Sequence, residues 1–440
     1  MTSAATRPAG PDDLWSVDEH LEDILAAVRP LEPIELQLLD AQGCVLVEDV
    51  TVPVSLPPFD NSSMDGYAVR VADIAGAGEE FPAVLEVVGD VAAGAADPVR
   101  VGPGQAARIM TGAPLPPGAE TVVPVEWTDG GLGEGPVSGM RSRSLAPQGA
   151  EGQVRVYRPA AARAHVRARG SDVKAGDLAL EAGTVLGPPQ LALLAAIGRG
   201  TVRVRPRPRV VVLSTGSELV QPGEELGPGQ IHDSNSFALT AAARDAGAIA
   251  YRVGAVADDA EILRSTIEDQ LIRADLLVTT GGVSVGAYDV VKEALSYAAD
   301  ADEAGSGVEF RRIAMQPGKP QGFGSIGPDH IPVLALPGNP VSSYVSFELF
   351  VRPAIRTLSG LTDIHRPRAR AVLTADEALR SPRGRRQFLR GVHADGKVSP
   401  VGGAGSHLVA ALARANALIV VPEDVESVEP GTEVEVVLLG

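Results

Sequence analysis

Three stretches of this sequence set glycine among hydroxyls, carboxylates and prolines directly after an apolar run. They are Ser214-Thr215-Gly216-Ser217-Glu218-Leu219, Thr279-Thr280-Gly281-Gly282 and Pro337-Gly338-Asn339-Pro340. Glycine lets a backbone approach a ligand closely, and N–H groups gathered between a strand end and a helix start suit a phosphate or another oxyanion. Glu218 in the first stretch and Asp289, a little beyond the second, are carboxylates that could hold a metal ion or position a leaving group. At any one of these places an ordinary strand-to-helix turn would read the same, with Asp289 as a plain N-cap and Asn339-Pro340 as a plain helix start. Three such loops at the carboxyl ends of parallel strands, however, would face one crevice, which is where ligands bind in open α/β sheets.

Other polar positions are candidates on weaker grounds. Asp258 and Asp259 follow a strand; one must cap the next helix and the other is left over. Lys319, in Pro317-Gly318-Lys319-Pro320, is one of only four lysines in the chain, and a point charge on a flexible stem suits a phosphate. The polar loop Phe59-Asp60-Asn61-Ser62-Ser63-Met64-Asp65-Gly66-Tyr67-Ala68 can fold on its own side-chain-to-backbone bonds or serve as a ligand platform. Met110-Thr111-Gly112-Ala113 presents a hydroxyl beside a glycine at a strand end. Arg167 and Arg169 stand near Asp172, a grouping that a solvated surface pair also explains. Arg390 and Ser406 lie in a β-rich tail, where single polar residues are usually structural.

The elements that must position these residues follow from the apolar pattern. Leu276-Leu277-Val278 reads as a strand covered on both faces, and Val290-Val291-Lys292-Glu293-Ala294-Leu295 as the helix after it. Residues 209–360 alternate strand and helix, the mark of a doubly wound sheet. Residues 52–157 break into short apolar runs among Gly and Pro and look all-β; 366–440 does so again, as a small barrel or sandwich. Ser16-Val17-Asp18-Glu19 fits a capping box, opening a helix with Leu21, Ile24, Leu25 and Val28 on one face.

At 440 residues the chain exceeds one core, and its 45% hydrophobic content excludes a disordered protein. A net charge of -18, from 38 basic and 56 acidic residues, opposes nucleic acid and anionic membranes as partners. Cys44 stands alone, so no disulfide or thiolate zinc site forms within the chain, and the seven histidines show no metal-ligand spacing. No 18 apolar residues run together, and residues 1–13 lack the apolar core of a signal peptide. The expectation is a soluble cytoplasmic protein.

Six motifs then stand in one order: the loop from Phe59 to Ala68, Met110-Thr111-Gly112-Ala113, Ser214-Thr215-Gly216-Ser217-Glu218-Leu219, Gly281-Gly282-Val283-Ser284-Val285-Gly286, Pro317-Gly318-Lys319-Pro320 and Leu336-Pro337-Gly338-Asn339-Pro340. Each is weak by itself. In this order they resemble the molybdopterin molybdenumtransferase family, that of MoeA and the gephyrin E-domain, over nearly the whole chain from about residue 14.

The resemblance implies α/β plus all-β modules in an elongated homodimer of four-domain subunits. A doubly wound molybdopterin-binding α/β domain would span 188–362, a β-rich insertion domain 59–151 and a C-terminal β-barrel-like domain 363–440. Residues 14–58 and 152–187 would form an N-terminal linker and dimerisation domain, its helix 16–28 packed on the α/β domain, with 1–13 a flexible tail. The implied reaction inserts molybdate into the dithiolene of adenylylated molybdopterin with Mg²⁺, releasing AMP and leaving molybdenum cofactor. The cleft would be shared with the partner chain, and contact with the adenylyltransferase of the same pathway is expected.

Residues tied to activity in that family fall on Asp65, Thr111, Asp172, Glu218, Asp258, Asp289, Pro337, Pro340, Arg390 and Ser406. On this reading Glu218, Asp258 and Asp289 hold Mg²⁺, a hard cation that prefers oxygen ligands. Asp65 and Thr111 position the pterin or molybdate. Gly216, Gly281, Gly282, Ser284, Arg312, Lys319, Pro337, Gly338, Asn339, Pro340, Arg390 and Ser406 contact substrate. The family often carries two lysines before the Pro-Gly-Lys-Pro turn, whereas this chain has Arg312 and Gln316, keeping one cation and losing another. The competing expectations are the adenylyl transfer that precedes insertion and a non-catalytic pterin-binding scaffold.

Overall fold

Val210 and Val212 leave one side of their strand and Val211 and Leu213 the other, because successive strand side chains face opposite ways. The first pair joins a buried core with Leu239, Val341 and Phe350; the second joins another with Leu263, Ile267 and Val291. Leu276 and Val278 split from Leu277 in the same manner. A strand buried on both faces needs helices on both faces, and this is the doubly wound arrangement. The computed structural model describes residues 14–94, 96, 99–133, 135–139, 152–282, 290–296 and 307–440.

The α/β unit runs β1 (Arg209–Thr215), α1 (Asn235–Asp245), β2 (Ile249–Val256), α2 (Ala260–Leu271), β3 (Leu276–Thr280), α3 (Val290–Ser296), β4 (Gly307–Ile313), β5 (Pro320–Ile326), β6 (Ile331–Leu336) and α4 (Pro340–Ser346). Strands β6, β3, β1 and β2 lie parallel in that spatial order, and β5 runs antiparallel between β6 and β4. Helix α4 passes through a wider turn at Phe347–Val351 into Arg352–Leu358; Pro353, which has no N–H, sits just after that turn.

Leu14–Trp15 adds to the outer edge of this sheet, parallel to β4. The helix Val17–Ala27 follows, opened by the expected capping box: Glu19 N–H donates to Ser16 Oγ at 3.1 Å and Ser16 N–H to Glu19 Oε2 at 2.9 Å. Its buried Ile24 packs in the core of the α/β unit together with Phe350.

Two expected boundaries move. Pro188–Ala196 and Thr201–Arg205 belong to the N-terminal module and not to the α/β unit expected at 188–362. Thr201–Arg205 pairs antiparallel with Ile34–Gln37 and Val45–Leu46, burying Val202 and Val204 with Leu46, Leu186 and Leu194. Gln153–Val156 leaves the expected 152–187 segment for the insertion sheet. It pairs with Ala83–Val91, because Val154 and Val156 alternate inward onto the core of Tyr67, Val87 and Val123. That sheet has five strands, in the order Gln153–Val156, Ala83–Val91, Gln105–Ile109, Gly66–Val69 and Thr121–Pro124.

The C-terminal unit is a barrel. Arg386–Ala394 pairs with both Lys397–Pro400 and Ala417–Val421, and the ring closes through Glu433–Leu438 and Arg368–Leu373. Closure removes the open edges that a sandwich would leave. Phe388, Leu418, Val420 and Val437 on its outside pack into the α/β core, so the barrel is fastened to the face bearing α1 and α4.

Candidate functional site

Strand order decides which loops meet. Residues after β1, β3 and β6 emerge side by side at the carboxyl ends of three adjacent parallel strands. The chain leaves β1 for β2 on one side and returns to β3 on the other, and this reversal opens a crevice at the switch point. Around it lies a cavity of about 680 Å³ lined by Thr215, Gly216, Glu218, Asp258, Thr280, Gly281, Gly282 and all of Pro337-Gly338-Asn339-Pro340. The end of the loop before α1, from Ile231 to Ser234, with Asn235 of α1 and with His407 and Val409 from the C-terminal unit, lies on the wall as well.

The glycines let these loops touch. Gly281 has φ +101°, and a Cβ there would lie 2.3 Å from the Thr215 carbonyl oxygen. A Cβ on Gly338 would meet the Gly281 Cα at 3.4 Å. The N–H groups of Gly216 and Gly281, expected to face a ligand, instead donate to Val256 O at 3.1 Å and Leu336 O at 3.2 Å. Both acceptors are the last residues of neighbouring strands, β2 and β6, so the ends of the sheet ladder consumed them. Gly282, Gly338 and Asn339 line the cavity, and their N–H groups have no acceptor among the described residues.

Two exposed carboxylates, Glu218 and Asp258, border the cavity, beside the buried Asp233. Asp259 is the helix cap of α2, accepting from Glu261 N and Ile262 N, which settles the choice between the two aspartates and leaves Asp258 at the wall. Asp258 Oδ2 accepts from Ser217 N at 3.1 Å, so its loop is tied to the loop that carries Glu218. The Glu218 carboxylate folds back over Gly216, where a Cβ would meet its oxygens at 2.6–2.8 Å. A hard divalent cation fits this donor set, since Mg²⁺ is usually held by one or two carboxylates together with substrate phosphates and water. Among the described residues no three His, Cys, Asp or Glu groups form a metal cluster. Asp289 and Ser284 lie outside the described residues.

Asn235, which the sequence offers only as part of a helix start, is the clasp of the site. Its Nδ2 donates to Thr280 Oγ1 at 3.1 Å and to Gly338 O at 2.7 Å. Thr280 Oγ1 in turn donates to Pro337 O at 3.0 Å. Behind it Asp233, fully buried, accepts from Ser214 Oγ at 3.0 Å and from Ser236 N at 3.1 Å, joining the end of β1 to the start of α1. In the sequence both belong to Asp233-Ser234-Asn235, a polar triplet ahead of a helix and the sole signal for either residue. His407 carried none.

The other expected residues lie off this cavity. Asp65 and Thr111 form their own exposed pair, with Thr111 N and Oγ1 donating to Asp65 Oδ1 at 2.7 and 2.9 Å. Asp172 is exposed and its N–H donates to Leu56 O at 3.0 Å. The neighbouring Asp60 braces that polar loop, accepting from Arg169 N at 2.8 Å and Arg163 Nη2 at 2.9 Å. The Arg169 N–H, and then the Arg163 guanidinium, hold its carboxyl below the usual range. Lys319 and Arg312 are half-buried and neither lines the cavity, although Pro320 does. Arg390 is buried, donating through Nη2 to Gly403 O, and Ser406 takes part through its carbonyl, which accepts from Val341 N at 3.0 Å.

Comparison with known proteins places the whole chain. Residues 15–198 match the MoeA N-terminal region (domain I and II), 211–357 a probable molybdopterin binding domain, and 372–439 the MoeA C-terminal region (domain IV). Molybdopterin molybdenumtransferase 2 of Mycobacterium tuberculosis is 46% identical over 96% of this chain and 98% of its own length. The molybdopterin molybdenumtransferase of Bacillus subtilis is 35% identical over 96% and 94%. A molybdopterin biosynthesis MoeA protein from Pyrococcus horikoshii has a crystal structure that superposes with a TM-score of 0.71 at 33% identity, covering 97% of this chain and all of that one. No described helix is long and apolar enough to cross a membrane. With these three regions in order along one chain and relatives matched from end to end, this protein belongs to the MoeA family of molybdopterin molybdenumtransferases.

Proposed function

We propose that this chain completes molybdenum cofactor, inserting molybdate into the dithiolene of adenylylated molybdopterin and releasing AMP in a Mg²⁺-dependent step. The observation that carries this reading is the meeting of Glu218, Asp258 and the 281–282 and 337–340 loops on one cavity. A dianionic molybdate and a phosphoanhydride need N–H donors and a cation, and the wall offers the N–H groups of Gly282, Gly338 and Asn339 beside two carboxylates suited to Mg²⁺. When bound, Mg²⁺ would polarise the phosphoanhydride; Glu218 and Asp258 would hold it, with Asp289 as the third ligand.

A homodimer fits the placement of Asp65 and Thr111. They form an exposed pair that does not border the cavity of their own chain, so a second copy could present them to it. The same reading has the chain work in the cytoplasm and receive its substrate from the adenylyltransferase of the pathway. Glu218→Ala tests it: the variant should still bind the nucleotide-linked pterin but release little AMP when molybdate and Mg²⁺ are supplied. Full turnover in that variant removes the carboxylate role. A wild-type chain that consumes ATP with free pterin, and not molybdate with adenylylated pterin, would be an adenylyltransferase. Binding without AMP release at any metal concentration would mark a scaffold.

A further inference from the structure

Asp233 belongs to the cavity wall, yet its carboxylate is wholly buried. Burying a carboxylate is costly unless hydrogen-bond donors and an opposite charge answer it. Ser214 Oγ and Ser236 N donate to its Oδ1 at 3.0 and 3.1 Å, and the Ser236 hydroxyl donates to its Oδ2. The opposite charge is that of Arg252, whose Nη1 lies 3.9 Å from Asp233 Oδ2 and donates to Ser236 Oγ at 3.3 Å. The Ser236 hydroxyl therefore accepts from the guanidinium and donates to the carboxylate, and each bond polarises the other. Ser234, the N-cap of α1, makes no side-chain cap bond, so Asp233 is what satisfies the Ser236 N–H in the first turn.

The edge strand β2 is shaped to aim Arg252. Val212 pairs with Arg252 and Leu213 with Gly254, so Val253 is an extra residue, a bulge of the kind that re-aims side chains at sheet edges. Its effect shows in the two faces of the strand. Ala250 packs in the core of Val212 and Leu239, whereas Val256, an even number of residues farther on, packs in the opposite core of Val211 and Leu263. Gly254 has φ +92°, and a Cβ there would lie 3.4 Å from Arg252 Nη1. The guanidinium also covers the ring of Phe237, 4.2 Å from its centroid. Arg252 thus grips the first turn of α1 at two successive residues, Ser236 and Phe237. Asn235, the residue before them, faces the cavity.

We propose that Arg252 is a positioning residue for the reaction: it holds Asp233 and the first turn of α1, and thereby keeps Asn235 in its bonds to Thr280 Oγ1 and Gly338 O. Without the guanidinium the buried carboxylate loses its opposite charge, and the turn must shift to bring it toward water. That shift pulls the Asn235 amide away from its two acceptors and loosens the join between the loops after β3 and β6. The inference takes from the molybdate-insertion reading only the reaction to be assayed.

The experiment uses the full-length protein, assayed for AMP release from adenylylated molybdopterin with molybdate and Mg²⁺, and followed by hydrogen exchange at the amides of residues 234–238. Arg252→Met keeps an unbranched stem and removes the charge. It should lower kcat/KM about tenfold and speed exchange in that turn, with the amides of β1 and β3 exchanging as in the wild type. Arg252→Lys, which restores the charge without the planar fork, should bring both readings to within about threefold of the wild type. In an Asn235→Ser background, Arg252→Met should cost less than about twofold more, because the bonds it protects are already gone. Wild-type kcat/KM and exchange in Arg252→Met overturn the proposal. So does a full further loss on top of Asn235→Ser, since Arg252 would then act by another route. Failure of Arg252→Lys to recover either reading overturns it as well. If the wild-type protein releases no AMP, the insertion reading fails, and the role of Arg252 stands or falls on hydrogen exchange in the two single variants.

Discussion

Ser217 and Asp258 hold each other reciprocally: Ser217 N–H donates to Asp258 Oδ2 and Asp258 N–H to Ser217 Oγ, both at 3.1 Å. They are 41 residues apart in sequence and stand at the ends of the adjacent strands β1 and β2. Both are exposed, so the pair contributes little to global stability. It ties the loop that carries Glu218 to the loop that carries Asp258.

Ser217→Ala should therefore separate catalysis from folding. Losing one exposed hydrogen bond is worth about 1 kcal/mol. The kcat/KM for AMP release should drop about fivefold, with a smaller fractional effect on the urea midpoint. An equal loss of stability and activity would show that the pair is only structural.

Gly281→Ala should be severe. Its φ of +101° disfavours any side chain, and the new Cβ would strike the Thr215 carbonyl at 2.3 Å. The strained backbone alone should cost at least about 2 kcal/mol. Denaturant unfolding should show that loss, and turnover should vanish even at temperatures where the variant is folded. Gly403→Ala, where a Cβ meets nothing within 4 Å, is the matched control for stability.

Asn235→Asp should damage the clasp while keeping its shape. The carboxylate cannot donate to Gly338 O or Thr280 Oγ1 and adds negative charge to a wall that already holds Glu218 and Asp258. kcat/KM should fall more than about tenfold, and further than in Asn235→Ser. Steady-state kinetics on the two variants checks the order; the reverse order would mean that the donor is dispensable.

His20 should make stability fall on acidification. Its imidazole is buried edge-on against Phe350, with ring centroids 4.8 Å apart, and burial, reinforced by Arg311 and opposed by Asp23, pushes it down to about 3 from 6.5. Between those values the unfolded chain binds a proton that the folded chain excludes. The contribution is complete above pH 6.5 and is lost as pH falls toward 3, with a slope of up to about 1.4 kcal/mol per pH unit. His20→Phe should have a shallower loss between pH 7 and 5 in urea titrations. Parallel curves for the two proteins would contradict the neutral buried imidazole.

The sequence alone determined the local pieces. Apolar runs buried on both faces, glycines at strand ends and the capping box at Ser16 are set by neighbours within a few residues, and six motifs in order pointed to the family. Tertiary structure decided which pieces meet. The order β6-β3-β1-β2 brought loops from 216, 281 and 338 to one wall. The same strand order spent the Gly216 and Gly281 N–H groups on the ends of β2 and β6. It left Asp65, Thr111 and Lys319 off the cavity and put Asn235 and His407 on it. Thr201–Arg205 and Gln153–Val156 found partners more than 60 residues away, against the module their position suggested. Strand pairing and loop contact depend on side chains distant in the chain finding a shared core, and no local pattern records that choice.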